Sequence, residues 1–118
     1  MYIFVYGTLK KDSTNHYLLN GSEFICSTGT KESYTMLDMG QFPGVLKDEL
    51  PEGHSASIQG EVYDVNEQTL GKLDTYEGDW YFREEVELEA GVTALMYFLR
   101  KIPPLDYRIV PEGNWTGR

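Results

Sequence analysis

The stretch VYGTLKK, residues 5–11, decides how the start of this chain is interpreted. It ends an apolar run, Met1–Tyr6, that predicts a buried strand. The run stops at Gly7 and Thr8, and the helix-start signal Asp12-Ser13-Thr14 follows the lysine pair. Two explanations remain open. The glycine belongs to an ordinary tight turn, or it lets backbone N–H groups approach a carboxylate or phosphate closely.

Strand-like runs dominate the rest of the sequence. Phe82–Leu88 alternates apolar and charged residues, and Thr93–Leu99 is almost continuously apolar, so the two predict a hairpin that turns at Ala90-Gly91. Further strands are expected within Ser22–Met36, at Val45-Leu46 and across Ser57–Val65.

Two breaker signals lie between or within these runs. Pro43-Gly44 predicts a turn before the strand at Val45-Leu46. Gly60 lies inside a strand pattern and predicts either a bulge or a close backbone approach.

Helical signals are fewer. Ser13 or Thr14 is a candidate cap for a short helix that ends at Leu19. A longer helix is predicted between Asn66, a favourable N-cap, and Gly78, a favourable C-terminal glycine. We therefore predict an α+β fold in one domain over residues 1–118. It has five to seven strands in a mixed or antiparallel, barrel-like sheet, with one or two flanking helices.

Composition narrows the function classes. The chain has 118 residues and a formal net charge of −9, which argues against a nucleic-acid partner, because phosphate binding needs clustered basic residues. No apolar run approaches the length of a membrane span, so no membrane partner is expected. The only cysteine, Cys26, is expected in the core and excludes an internal disulfide, which favours a reducing cytoplasm.

Metal ligation is not predicted. His16 and His54 lie far apart in sequence, without the spacing of a zinc site, and both are expected at the surface. No nucleophile elbow or phosphate-binding loop is present either. We therefore expect neither a metal nor a cofactor.

Glu77 is the strongest candidate for proton chemistry. Positions 70, 73 and 77 share one helix face, so Glu77 continues the apolar stripe of Leu70 and Leu73. Glu67, Lys72 and Asp74 are expected to point elsewhere. Burial raises the pKa of a carboxyl group, and such a group can exchange protons near neutral pH. The alternatives are a frayed last turn, with Glu77 in water, or a structural hydrogen bond to a neighbouring loop.

Several motifs together resemble one known family. VYGTLKK, at residues 5–11, is similar to its opening strand and Tyr-Gly-Ser/Thr-Leu signature, and LDTYEG, at residues 73–78, to its Leu-Asp-x-x-Glu-Gly segment. YFREEV, ALMYFL and VPEGNW are similar to its later segments, although Asn114 replaces a frequent aspartate. The chain thus resembles the gamma-glutamylcyclotransferase-like group from about Met1 to Trp115. That group includes the gamma-glutamylamine cyclotransferases and the plant avirulence-induced proteins.

The resemblance implies a small mixed barrel and a gamma-glutamyl substrate. It implies that the segment Tyr6, Gly7, Thr8 and Leu9 holds the carboxylate end of that substrate, that Glu77 is the acid and base, and that Tyr81 is a further contact. On this view Gly7 lets the backbone amides reach the ligand. A non-catalytic carboxylate-binding protein on the same scaffold remains the alternative, because a fold does not fix a function. The leaving group and the oligomeric state stay open.

Overall fold

The computed structural model describes residues 1–48 and 54–116. These residues form seven strands: β1 (Tyr2–Val5), β2 (Glu23–Asp38), β3 (Pro43–Leu46), β4 (Ala56–Asp64), β5 (Tyr81–Glu87), β6 (Thr93–Leu99) and β7 (Arg108–Val110). One α-helix, α1, spans Glu67–Glu77, and two short 3₁₀ helices span His16–Leu19 and Gly78–Trp80. The predicted α+β class is confirmed.

Five strands close into a barrel in the order β1, β4, β2, β3, β6, because β6 also pairs with β1. The β1–β6 and β3–β6 pairs are parallel, and the other pairs are antiparallel, so the sheet is mixed. β5 extends the sheet beyond β6 through the predicted hairpin, and β7 pairs with β2. Closure removes the exposed edges that an open sheet of short strands would present.

β1 is buried on both faces, which explains its uninterrupted apolar sequence. Phe4 belongs to the main core inside the barrel, whereas Ile3 and Val5 pack against Leu70 and Leu73 of α1 in a second core. The helix therefore lies against the outside of β1. This packing brings its C-terminal end beside the loop that follows the strand.

The boundaries of α1 follow its local signals. Asn66 accepts a hydrogen bond from the backbone N–H of Thr69 at 2.8 Å, and Gly78 ends the helix with a φ of 70°. That positive φ favours glycine because a Cβ would crowd the following carbonyl. Glu77 is thus fixed as the last residue of the helix, and fraying of the final turn is not observed.

Two local predictions are wrong. Pro43-Gly44 lies within β3 and not in a turn; the turn precedes it, where the Met39 N–H donates to the Phe42 carbonyl at 3.0 Å. Proline is tolerated there because it is the first residue of its strand. The N-terminal helix is a single 3₁₀ segment without a side-chain cap, and Asn15 takes the cap position in place of Ser13 or Thr14.

Gly60 marks a close backbone approach. A Cβ at this position would overlap the Val5 carbonyl oxygen, while the pairing of Gly60 with Thr28 continues without a register shift. The bulges of β2 lie between Phe24 and Cys26 and between Gly29 and Ser33. Across residues 1–48 and 54–116, no helix has the length and apolar character that a membrane crossing requires.

Candidate active site

A cavity of about 340 Å³ opens where the loop after β1 meets the C-terminal end of α1. All six residues that the sequence marked as catalytic or substrate-binding line this cavity: Tyr6, Gly7, Thr8, Leu9, Glu77 and Tyr81. They come from three separate segments of the chain. The fold therefore brings together residues that, in the sequence, were connected only by the family resemblance.

Glu77 lines this cavity together with residues that are mostly aromatic. Burial, together with the charge of Asp74, raises the pKa of Glu77 to about 7. Its carboxylate has no hydrogen-bond or ion-pair partner within residues 1–48 and 54–116. The Glu77 side chain is half-buried on the face of Leu70 and Leu73, and within the described residues the alternative of a structural hydrogen bond is not observed. A carboxyl group with this pKa exchanges protons readily at neutral pH.

Asp74 does not point away into solvent, as the sequence suggested. Its carboxylate accepts two hydrogen bonds from the Arg83 guanidinium, at 2.8 and 3.0 Å, and one from the Tyr97 hydroxyl at 2.6 Å. The Arg83 hydrogen bonds, followed by that of Tyr97, hold the pKa of Asp74 below its usual value. The helical wheel missed this because both partners belong to the β5–β6 hairpin, against which the helix is packed.

The loop Gly7–Leu9 presents backbone donors to the cavity. In the part of the chain that the structure describes, the N–H groups of these three residues donate to no protein acceptor, although the Gly7 and Thr8 carbonyls accept hydrogen bonds from Lys10 and Asn15. The loop is thus fastened through its carbonyls. Its amides remain available to an anionic ligand.

Gly7 is required for a reason that the sequence did not reveal. A Cβ at Gly7 would lie 2.7 Å from Cγ of Pro43, so the ring of that proline occupies the space of a side chain. The glycine lets the loop pack against the start of β3. Gly7 is not among the glycines with a positive φ, so close packing rather than an unusual backbone conformation explains why a glycine stands here.

The other three predicted contacts differ in what they offer a ligand. Tyr6 is buried and its hydroxyl donates to the Tyr97 carbonyl at 2.9 Å, while the Tyr81 hydroxyl donates to the Pro43 carbonyl at 3.0 Å. Both tyrosines therefore contribute ring surface to the cavity. Leu9 is 4% exposed and its side chain packs in the second core, so the part of Leu9 that is left to line the cavity is its backbone.

Sequence reasoning missed the aromatic residues at the cavity mouth. Tyr76 and Trp80, exposed by 41% and 42%, line it from the end of α1 and the following 3₁₀ helix, and Phe42 lies across from Trp80 with ring centroids 6.3 Å apart. The available signal was the position of Tyr76 directly before Glu77. These rings add exposed aromatic surface to the lining of the cavity.

The candidate ligands that sequence analysis set aside lie elsewhere. His16 is half-buried, its Nδ1 is 2.8 Å from the Leu9 carbonyl, and its ring lies 5.5 Å from that of Tyr63, so it is not the surface residue that was predicted. Cys26 is half-buried at the edge of the main core. Within residues 1–48 and 54–116, no group of three or more His, Cys, Asp or Glu residues could hold a metal ion.

Comparison with known proteins gives a consistent result. A family model described as "Gamma-glutamyl cyclotransferase, AIG2-like" matches residues 3–117. A Vibrio cholerae protein named "Putative gamma-glutamylcyclotransferase" is 36% identical over 118 residues, which cover 98% of this chain and 96% of the relative. Gamma-glutamylaminecyclotransferase C of Danio rerio is 38% identical over 97 residues, which cover 75% of this chain and 62% of the relative.

Solved structures agree on the fold. The crystal structure of an AIG2-like protein from Mus musculus superposes with a TM-score of 0.76 at 29% identity, covering 97% of this chain and 86% of that one. The barrel described above is therefore shared with a protein of the same family description.

Proposed function

Because this chain belongs to the gamma-glutamyl cyclotransferase, AIG2-like family, we propose that it cleaves a gamma-glutamyl amide by cyclisation of the glutamyl part. The observation that carries this proposal is Glu77, a half-buried carboxyl group with a pKa of about 7 in the cavity wall. It lies in the same cavity as the donor loop Gly7–Leu9. A group that exchanges protons and a group that binds an anion are the two functions that this reaction requires.

The chemistry needs no nucleophile from the protein. The substrate's α-amine attacks its own side-chain amide carbonyl carbon, a five-membered lactam ring closes, and the bond from that carbon to the leaving nitrogen breaks. The α-nitrogen begins as an ammonium group and ends as a lactam N–H, so it loses two protons. The leaving nitrogen gains two protons and departs as an ammonium ion. The products are 5-oxoproline and an amine or amino acid.

Glu77 is assigned one proton transfer at each nitrogen. Its carboxylate accepts a proton from the α-ammonium group, which frees the lone pair for attack, and the resulting carboxylic acid protonates the leaving nitrogen. The α-nitrogen loses its second proton to water after the ring closes, and the released amine takes up its second proton from water. A pKa near 7 suits this double role, because base and acid forms are both populated at neutral pH. General acid–base catalysis of this kind contributes roughly 10²–10⁴-fold to a rate.

The loop Gly7–Leu9 is assigned the substrate's α-carboxylate. Three backbone N–H groups and the Thr8 hydroxyl supply donors there, and a donor set without an acidic member suits a carboxylate. Holding that end while the rings of Tyr81 and Trp80 confine the chain favours the folded conformer that cyclises. Such positioning supplies up to about 7–11 kcal/mol of a barrier in well-oriented intramolecular reactions.

The test is a direct assay of the purified protein against a panel of gamma-glutamyl amides. The panel includes amino-acid, polyamine-like and lysine isopeptide leaving groups, and formation of 5-oxoproline is measured for each. We expect at least one member to be turned over and Glu77→Gln to abolish most of that turnover. Absence of 5-oxoproline from every member would contradict the proposal.

A further inference from the structure

Tyr76 connects the two halves of the candidate site through its hydroxyl group. It is the residue before Glu77 on α1, and its Oη lies 3.0 Å from Oγ1 of Thr8 and 2.7 Å from Nδ2 of Asn15. One side chain of the helix thus reaches both ends of the loop that follows β1. The mechanism proposed above gives this contact no role.

Chemistry fixes the direction of one of these hydrogen bonds. The Asn15 amide nitrogen carries only protons, so Tyr76 Oη must accept from it. At the 3.0 Å contact between Tyr76 Oη and Thr8 Oγ1 either hydroxyl can be the donor. When Tyr76 uses its single phenol proton there, the Thr8 hydroxyl keeps its own proton for a third partner.

Asn15 also fixes the main chain of Thr8. Its backbone N–H donates to the Thr8 carbonyl at 2.9 Å, so one residue holds the carbonyl of Thr8 directly and its hydroxyl through Tyr76. Hydrogen bonds therefore hold both the backbone and the hydroxyl group of Thr8. The proton that remains belongs to a side chain that lines the cavity.

We propose that Asn15 and Tyr76 are positioning residues that turn the Thr8 hydroxyl into a dedicated donor for a carboxylate in the cavity. The proposal rests on the proposed function for the identity of that carboxylate, the α-carboxylate of a gamma-glutamyl group. Donors linked in series polarise one another, so the chain from Asn15 to Thr8 strengthens the last bond as well as directing it.

A consequence for specificity follows. The donor set of this subsite consists of the Gly7–Leu9 amides, which cannot accept, and the Thr8 hydroxyl, which the proposed relay commits to donating toward the ligand. A carboxylate accepts from all of them, whereas the amide nitrogen of a carboxamide would meet donors only. Sites built from committed hydrogen-bonding groups reject analogues that leave those groups unpaired. The subsite should therefore discriminate strongly against an α-carboxamide.

A purely structural role for Tyr76 is the competing explanation. In that case the hydroxyl only ties the end of α1 to the loop, and its removal would weaken binding of every ligand and act independently of Thr8. The two explanations differ in their dependence on the ligand's carboxylate and on the Thr8 hydroxyl. A double-mutant cycle with two ligands separates them.

The experiment measures binding of 5-oxoproline and of its carboxamide, 5-oxoprolinamide, by calorimetry. For 5-oxoproline we expect Thr8→Val to weaken binding roughly tenfold and Tyr76→Phe roughly three- to tenfold, with the double variant no weaker than Thr8→Val alone. For the carboxamide, Tyr76→Phe should change binding less than twofold. Tyr17→Phe is the matched control, because Tyr17 is 62% exposed and lies outside the cavity lining.

Asn15→Asp offers a test that reverses the direction of the hydrogen bonds between Asn15, Tyr76 and Thr8. An ionised aspartate only accepts, so Tyr76 would donate to it, Thr8 would donate to Tyr76, and the ligand would lose its donor. We expect a larger loss of 5-oxoproline binding than in Tyr76→Phe. Restoring much of that binding by adding Tyr76→Phe to Asn15→Asp would support the relay, since the reversed bond needs the phenol.

Additive losses in the cycle, equal losses for the two ligands, or no binding of 5-oxoproline to the wild-type protein would each overturn the proposal. These outcomes are distinct from failure of the proposed function. A wild-type protein that binds 5-oxoproline through the relay but cyclises no gamma-glutamyl amide would refute only the function. A protein that cyclises such amides while Tyr76→Phe binds normally would refute only the relay.

Discussion

Asp74 and Glu77 lie three residues apart on α1, yet their surroundings shift them in opposite directions. Asp74 accepts hydrogen bonds from Arg83 and Tyr97, which lower its pKa. Glu77 is half-buried without such partners among the described residues, and desolvation together with the nearby charge of Asp74 raises its pKa to about 7. Two carboxyl groups at one end of the same helix thus have pKa values shifted in opposite directions.

The difference shows that the elements packed next to each residue determine how its carboxyl group is shifted. The β5–β6 hairpin supplies a cation and a hydroxyl to Asp74, which fastens the helix to the barrel. One turn later the helix meets the cavity, where aromatic rings replace charged partners around Glu77. Pairs of acids whose environments separate their pKa values often mark distinct roles in catalysis.

The largest effect should come from Glu77→Gln. The substitution keeps the shape of the side chain but cannot accept a proton, so turnover of a gamma-glutamyl amide should fall by at least roughly 10²–10⁴-fold while ligand binding is retained. Steady-state kinetics and calorimetric binding measure the two quantities. Glu85→Gln, the same substitution at an exposed position of β5, should leave turnover unchanged. Wild-type turnover in Glu77→Gln would remove Glu77 from the mechanism.

A smaller loss is expected for Glu77→Asp. Aspartate keeps the ionisable group but withdraws it by one methylene from the reacting nitrogen, and a displacement of about 1 Å costs up to roughly 10²-fold in rate. The measurement is kcat on the substrate used for Glu77→Gln. A rate equal to that of the wild-type protein would show that the position of the carboxylate is not critical.

Asp74→Asn and Arg83→Gln should move the acidic limb of the pH–rate profile in opposite directions. Removing the Asp74 charge withdraws one cause of the raised pKa of Glu77, so the limb should shift to lower pH by up to about one unit. Arg83→Gln leaves Asp74 charged and without its cation, so the limb should shift to higher pH. Shifts of equal sign would show that the pair does not act on Glu77 electrostatically.

The smallest effect concerns stability. The folded-state pKa of Glu77, about 7, exceeds its ordinary value of 4.5, so the folded state binds the proton more tightly than the unfolded state. The stability that this proton contributes is fully present below about pH 4.5 and is lost as pH rises through about 7, which leaves the ionised, half-buried carboxylate as a penalty at higher pH. Glu77→Gln has no ionisable group and therefore lacks this penalty. We expect the variant to exceed the wild-type protein in free energy of unfolding at pH 8, on the order of 1–3 kcal/mol, and the gap to narrow at pH 4.5. Denaturant titrations at both pH values measure it. A gap independent of pH would contradict the raised pKa.

The sequence was sufficient to predict features that depend on residues close to one another along the chain. The caps Asn66 and Gly78 bound α1, and the alternation of β5 with the turn at Gly91 predicted the hairpin. The Leu70–Leu73 stripe similarly predicted that Glu77 would be buried. Each of these inferences depends on residues within a few positions of one another.

Non-local contacts account for what the sequence did not reveal. Arg83 and Tyr97 engage Asp74 because the hairpin lies beside the helix, and Pro43 fills the space above Gly7 because β3 joins the barrel next to the loop. His16 is drawn inward by the Leu9 carbonyl in the same way. Hydrophobic periodicity cannot reveal such partners, because it reports only on residues within one element. These partners come from different strands, which become neighbours only through the strand order of the barrel.

The parallel pairing of β1 with β6 also has a kinetic consequence. Tyr6 donates to the carbonyl of Tyr97, 91 positions further along the chain, and Ile3 is registered with Leu95. Folds dominated by such distant contacts fold on a timescale of roughly milliseconds to seconds, because loop closure costs entropy before the contacts form. Stopped-flow refolding should therefore show a slow phase in which β1 and β6 become protected together. Because β6 follows β1 along the chain, β1 cannot complete this parallel pairing during synthesis until β6 has also left the ribosome.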